Sequence, residues 1–519
     1  MSLIKFFTHR RRSIFTAGTD AVRADTWRPA VELWPAAAWG LTATAALSMT
    51  LTAMTPPVPA LPMGLAAGVL ATLRLRSALN VLKDRAALAG SALELISSRS
   101  FARRLLRARR DMAGKGNIET FAPVWFGRGF DWGPEHAQKL YELSKIDVNR
   151  LLPARALCKL LTGTEPKDSR TVGLSAIDGL ESRKKDIWVS EKTLEGGTLI
   201  VGTTQAGKGV LLTSLVTQAI LRGESVIVID PKMSSRLQNA VTAAAKLAHR
   251  SPPLFFHPNH PEELRINPLT HFERPSEIAS RITAVMSDSG PFTSFAWSAV
   301  NVVVELLVHV GRTPSIATIE AVLTGDFEDL LLEAAELDCG EDYFDMLVSE
   351  AKVKGKKGRE GVLDVLERAR AEERLSEATL KGAATYAHDP VHFAKITASL
   401  MPVLAMLTSG ALRQTLSPRD DDPLAMSLSE IIAQRKILYV CLNSLPDPTV
   451  AGAIGSMLLA DLASCAGERY NNTSISRNTV SLFVDECSKL VHECSNVAYK
   501  FSKNQVFPVV WAKLKDGIF

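Results

Sequence analysis

Cysteine is scarce in this chain: six among 519 residues, with no Cys-x-x-Cys pair. Cys158, Cys339, Cys441, Cys465, Cys487 and Cys494 are scattered. That excludes a disulfide-stapled scaffold and leaves no spacing of the zinc-ribbon kind. Cys487 and Cys494 flank His492, yet a lone Cys/His trio in an acidic helical stretch reads as packing, and the thiols read as reduced and cytoplasmic. Charge of one sign is also lacking. Sixty Lys and Arg against 55 Asp and Glu leave +5, too little to imply nucleic-acid binding by net charge. Strong strand-forming runs are missing from about Pro275 to Leu416, where helical periodicity dominates. Low-complexity tracts are few, and 46% hydrophobic residues are enough to bury the cores of two or three domains.

The stretch with the strongest pattern is Thr198 to Val210. It reads as a β-strand, a glycine-framed loop and the first turn of a helix. Gly202, then Thr203, Thr204, Gln205 and Ala206, then Gly207-Lys208 has P-loop spacing, continued by Gly209 and Val210. In such a loop the backbone N–H groups cradle phosphates, the lysine reaches the β/γ-phosphates, and the helix presents its positive end. The expected ligand is ATP. Gly209 stands where a Ser or Thr hydroxyl ordinarily ligates Mg²⁺.

Before this motif the chain has a basic, polar N-terminus (Lys5, Arg10, Arg11, Arg12, Arg23, Arg28) and then a charge-free run from Leu33 to Met54 with Trp34 and Trp39 near its start. Thr55-Pro56-Pro57-Val58-Pro59 interrupts it, and a second uncharged run extends from Ala60 to Leu73 before Arg74, Arg76, Lys83 and Arg85. Two spans joined by a tight turn form a hairpin, and Lys/Arg on both flanks place both flanks on the cytoplasmic side. The first run starts too late and is too long for a cleaved signal peptide. Arg99, Arg103, Arg104, Arg107, Arg109 and Arg110, interleaved with Phe101, Leu105 and Leu106, make a basic amphipathic helix suited to anionic lipid or to DNA phosphates, or a merely solvated basic face. Trp125 to His136 is an aromatic and glycine cluster in which His136 reads as structural.

Beyond the P-loop, Ser225 to Asp230 is a continuous β-branched run, the pattern of a parallel strand buried on both faces. Asp230 ends it at the edge where such sheets bind ligands. Strands return at Ile437 to Leu442 and Val480 to Val484, and the last ends in Asp485-Glu486. That is the Walker B arrangement: Asp485 orients Mg²⁺ through its water shell, and Glu486 polarises the attacking water. Lys208 and Glu486 are the catalytic candidates and Asp485 the metal candidate.

The combination resembles the TraD/TraG-type coupling proteins of bacterial conjugation and type IV secretion, especially the TraD branch of integrative conjugative elements. The matching residues are Trp125 to His136, Gly202 to Lys208, Val228-Ile229-Asp230-Pro231-Lys232, Ile266-Asn267-Pro268-Leu269, Phe295-Ala296-Trp297 and Leu482 to Glu486. The resemblance implies an α/β chain: a RecA-like P-loop NTPase domain with an all-α insertion, preceded by a two-helix transmembrane hairpin. It implies a homo-hexameric ATPase of the bacterial inner membrane, bulk in the cytoplasm, that uses ATP and Mg²⁺ to deliver relaxase-bound single-stranded DNA from the relaxosome to a type IV secretion channel.

The expected divisions are a basic N-terminus (1–30), the hairpin (31–76), a juxtamembrane region (77–170), the first part of the nucleotide-binding domain (171–274), the insertion (275–425) and a second part (426–519) that reads as truncated. After Glu486 the sequence offers neither the glycine/arginine-rich loop nor the further strand that the family carries. Gly209 and that ending leave a non-hydrolysing scaffold as the competing expectation. An FtsK-type DNA translocase is disfavoured by the two spans and by the absence of a recognisable winged helix.

Overall fold

The computed structural model describes residues 27–51, 57–90, 100–101, 103–105, 107, 123–163, 175–181, 184–194, 197–202, 207–286, 291–388, 397–472, 478–486 and 509–514. The N-terminal basic residues up to Arg23, the loop residues Thr203 to Ala206, Arg99, Arg109, Arg110, Cys487, His492 and Cys494 lie outside them. The chain divides into two compact units, Met1–Arg103 with Trp125–Trp188, and Arg104–Val124 with Val189–Phe519.

In the first unit, helices α1 (Leu33–Leu51) and α2 (Pro57–Ala87) pack side by side. Small residues allow the approach. A Cβ built on Gly64 would stand 3.4 Å from both Ala46 Cβ and Leu47 Cγ, and one on Gly68 would stand 4.0 Å from Ala43 Cβ. This is the small-x-x-x-small spacing that lets helix backbones meet without large side chains between them. The outward faces stay apolar and exposed: Trp34 is 82% exposed, Leu41 71% and Met63 65%. Below the hairpin, Arg85 Nε donates to the Leu151 carbonyl at 2.8 Å. There Trp27, Leu88, Leu143, Leu151 and Leu180 form a small core.

Strands β1 (Pro123–Gly129) and β2 (Lys185–Ser190) make a two-stranded sheet, pinned by Trp125 Nε1 donating to Asp186 at 3.2 Å. Helix α3 (Pro134–Leu143) follows. His136 is buried, its Nδ1 accepts the Gly133 N–H at 3.0 Å, and its ring lies 4.7 Å from that of Phe130. The histidine closes the first turn of α3 and packs among aromatics, which is a structural role.

The second unit is built on six parallel strands in the order β3 (Thr198–Gly202), β8 (Val509–Leu514), β7 (Val480–Val484), β4 (Ser225–Asp230), β6 (Ile437–Cys441) and β5 (Leu254–Phe256). Every residue of β4, β6 and β7 is buried, as continuous apolar runs require of a sheet covered on both faces. Strand β8 is one that the sequence reading does not pick out. It pairs with β3 on one side and β7 on the other, inside the sheet and not at its rim.

Helices α4 (Lys208–Arg222) and α5 (Ser235–Leu247) flank the sheet. Between β5 and β6 the described residues form helices and no strand. These include α6 (Pro275–Thr283), α7 (Pro291–His309), α8 (Phe327–Cys339), α9 (Glu341–Val353), α10 (Arg359–Ala371) and α11 (Glu377–Ala387). Their buried side chains join those of the sheet in one core that runs from Ile227 and Phe256 through Val303 and Leu331 to Val484.

After the short α12 (Leu428–Ala433), helix α13 (Pro448–Asn471) is long and apolar enough to cross a membrane, as α2 is over Ala60–Ala87. The two differ in burial: 61% of the apolar window of α13 is covered by protein against 11% for α2. α13 also carries Asp461, fully buried, which accepts from Arg281 Nη1 at 3.1 Å and from the His271 N–H at 3.0 Å. A buried, paired carboxylate of this kind belongs to a core helix in contact with protein.

Candidate functional site

Because every pairing in the six-stranded sheet is parallel, the C-terminal ends of all six strands share one edge, the edge at which open α/β sheets present ligand sites. The sequence-derived candidates stand there. β3 ends at Gly202, and α4 opens at Lys208 behind Gly207, whose φ of +91° is accessible to glycine at no steric cost. Across the sheet, Val484 is level with Trp511 and Trp511 with Leu199, so Asp485 and Glu486 leave β7 on the same edge that β3 leaves toward the glycine–lysine turn. One strand, β8, separates the two motifs.

A Cβ on Gly209 would meet nothing within 4 Å, and the Gly209 carbonyl accepts the Thr213 hydroxyl at 2.6 Å. The missing hydroxyl at this position is therefore not imposed by crowding. Val210, on the same turn, is exposed.

The carboxylate end of the site is densely bonded. Asp485 donates its N–H to the Ile229 carbonyl at 3.0 Å, which ties the ends of β7 and β4. Burial, and then the charge of Asp230, push the Asp485 carboxyl above the usual carboxylate range, while the hydrogen bond from the Glu486 N–H and, less, Lys232 pull it back in part. Asp230 is itself fully buried and accepts from the Lys232 N–H at 2.9 Å, from the Ser234 N–H at 2.6 Å and from the Tyr439 hydroxyl. Burial and then Asp230 push the Tyr439 phenol far up, so it remains a donor. Glu486 is 7% exposed, has φ +46°, donates its N–H to Asp485 Oδ1 at 2.9 Å and forms an ion pair with Lys232.

The neighbouring strand ends extend the edge. Met233 after β4 and Asn443 after β6 also have positive φ, at +58° and +50°. Non-glycine residues in this region carry strain that surrounding contacts must hold. After β5, His257 Nδ1 accepts the Asn259 N–H at 3.0 Å, which leaves the Nε2 proton facing Met233 Sδ at 3.2 Å. Burial, and then His260, lower the His257 pKa. Cys441, at the end of β6, accepts from Gln238 at 3.0 Å, and burial pushes its thiol up to about 12.

Sequence reasoning singles out Asp230 by its place at a strand end but gives no role to Lys232 or Tyr439. The signal for Lys232 is its position two residues past that strand end; its partner lies far along the chain. Of the other motif residues, Asn267 bonds the Leu269 N–H at 3.0 Å and the Pro314 carbonyl at 2.9 Å, and Trp297 donates to Ser280 at 3.0 Å, so both brace loops and helices.

Among the described residues, one group of three side chains could reach a common cation: His271, Asp461 and Cys465, with ligand atoms within 4.8 Å. The Arg281 guanidinium already sits on Asp461 and on Ser464, at 3.1 and 2.7 Å, and burial holds the Cys465 thiol well above its usual range. A cation would face that guanidinium, so the group reads as an internal latch between α6 and α13.

No known family model matches this chain, and no curated protein does. Among solved structures it is similar to the bacterial conjugative coupling protein TrwBΔN70 in a trigonal form with sulphate, at 15% identity and a TM-score of 0.38, covering 62% of this chain and 63% of that one. It is similar also to TrwB in complex with ADP and Mg²⁺, at 14% identity and a TM-score of 0.38, with 63% and 65% covered. TrwB with the ATP analogue ADPNP gives 14% and 0.39, with 62% and 64% covered. The match spans less than two thirds of the length of each of these structures.

Proposed function

We propose that this chain is a membrane-anchored P-loop ATPase that couples hydrolysis to DNA transfer. One observation carries the reading: a glycine–lysine turn opening a helix and an Asp-Glu strand end leave the same edge of one parallel sheet, one strand apart. In this reading the loop Gly202 to Val210 binds the phosphates of ATP and Lys208 holds the β/γ-phosphates. The donor set suits Mg²⁺, a hard cation that takes carboxylate oxygen and keeps several waters. Asp485 would hold it, and neighbouring Asp230 adds negative charge. Bound there, Mg²⁺ supplies charge neutralisation to the transferring phosphoryl group. Glu486 orients and polarises the attacking water, a role suited to a carboxylate that is buried and firmly held.

The exposed apolar hairpin supports the anchor. Large exposed apolar surfaces are rare on soluble proteins, and here they flank two helices whose contact is made by small residues. The finer assignment follows the resemblance to coupling proteins: a RecA-like domain, a homo-hexamer at the bacterial inner membrane, relaxase-bound single-stranded DNA as cargo, and relaxosome and type IV secretion components as partners. Gly209 favours the competing reading of a non-hydrolysing scaffold. Conjugative transfer in cells separates the two. Lys208→Ala or Glu486→Gln should abolish transfer with membrane insertion retained, whereas unaltered transfer would establish the scaffold.

A further inference from the structure

The ion pair between Lys232 and Glu486 joins two strand ends far apart in sequence, and both partners are fixed by their backbones. On the β4 side, Asp230 accepts the N–H groups of Lys232 and Ser234 and so closes the turn over residues 231–234. Ser234 in turn caps α5, its hydroxyl accepting the Leu237 N–H at 3.4 Å. A turn bonded this way gives the Lys232 stem one starting direction. On the β7 side, Ile229 is level with Val484, and Asp485 bonds the Ile229 carbonyl, which sets Glu486 beside that turn. The φ of +46° at Glu486 costs a non-glycine residue on the order of 1 kcal/mol and persists only where contacts hold it. Such contacts include its N–H on Asp485 Oδ1 and its carboxylate on Lys232. The Glu486 side chain is 9% exposed and that of Lys232 42%, so a buried carboxylate is matched by a cation whose stem reaches solvent.

We propose that Lys232 is a positioning residue for Glu486, holding the carboxylate in the orientation from which it acts on water. The proposal rests on the ATPase reading above. Removing the ammonium takes the Lys232 ion pair from a carboxylate buried beside Asp485 and Asp230, so the carboxylate loses the contact that orients it.

The test uses the full detergent-solubilised chain and compares wild type, Lys232→Met, Lys232→Arg, Glu486→Gln and the Lys232→Met/Glu486→Gln double variant. Steady-state ATP hydrolysis with single-stranded DNA should show kcat of Lys232→Met down by about 10- to 100-fold, the scale of a misplaced catalytic group, with KM within about threefold. Lys232→Arg should restore kcat to within about threefold, because a cation of similar reach again faces Glu486. Urea unfolding in EDTA, with no nucleotide, supplies a readout independent of turnover. Lys232→Met should lower the midpoint, and the double variant should regain part of the loss, because the buried carboxylate that lost its ion pair is then neutral.

Unaltered kcat in Lys232→Met beside an active wild type overturns the positioning role alone. So does unfolding in which the two substitutions simply add. A folded wild type that turns over no ATP overturns the ATPase reading, and the positioning role with it.

Discussion

Asp230 and Asp485 end adjacent parallel strands, and Asp485 bonds the backbone of Ile229, the residue just before Asp230. Burial first and the charge of Asp230 second displace the Asp485 carboxyl upward. The arrangement stores unfavourable charge at the point where a divalent cation would relieve it.

A pH dependence follows. A carboxyl whose folded pKa lies above its unfolded value binds more protons in the folded state, so its contribution to stability falls as pH rises through the window between the two. In EDTA, Asp485→Asn should therefore be more stable than wild type at pH 7, and the difference should shrink as pH falls toward the ordinary Asp value. Thermal unfolding from pH 4 to 8 measures it. A difference that grows toward low pH would contradict the reading of Asp485.

Gly209 gives a gain-of-function prediction. Space for a side chain exists there, with nothing within 4 Å of a built Cβ. Gly209→Ser should therefore fold normally and, by adding an oxygen ligand, tighten ADP binding at fixed Mg²⁺ by about threefold or more. Calorimetric titration in Mg²⁺ and in EDTA checks it. Equal affinity in both variants would show that the metal does not approach this turn.

The latch on α13 should be costly to break from one side. Asp461 is fully buried and Arg281 nearly so. Asp461→Asn should cost about 3–5 kcal/mol by leaving the guanidinium uncompensated, and a concurrent Arg281→Met should recover much of it. Urea denaturation reads both. A loss below about 1 kcal/mol in the single variant would place the pair in a more solvated setting than the structure shows.

The hairpin makes its own prediction. Val69 is exposed within the uncharged part of α2. Val69→Arg should weaken membrane insertion by about 2.5–3.5 kcal/mol, the cost of arginine near a bilayer centre. Carbonate extraction of membranes should then release more of the variant than of wild type. Equal retention would argue that this face of α2 does not meet lipid.

Much of the fold is legible in the sequence because local chemistry announces it. β4 and β7 are predominantly apolar runs with an acid at or just past the end, the near-continuous pattern of a parallel strand buried on both faces. Gly207 and Gly223 bracket α4 as its left-handed caps. β8 is harder to see: it directly follows a proline and contains Lys513, which interrupts its apolar run. The ion pair of Lys232 with Glu486 and the hydrogen bond of Tyr439 to Asp230 are not legible at all. They depend on which strands become neighbours and in what register, and tertiary pairing alone decides that. The sequence places Asp485 and Glu486 at a strand end; the fold adds what holds them there.

The most direct test is ATP hydrolysis by the detergent-solubilised chain, with and without single-stranded DNA, beside Lys208→Ala. The account predicts turnover that DNA stimulates and that falls by about 100-fold or more in the variant, since the lysine that holds the phosphates is gone. A folded, membrane-inserted wild type with no turnover above Lys208→Ala would contradict it and leave a scaffold.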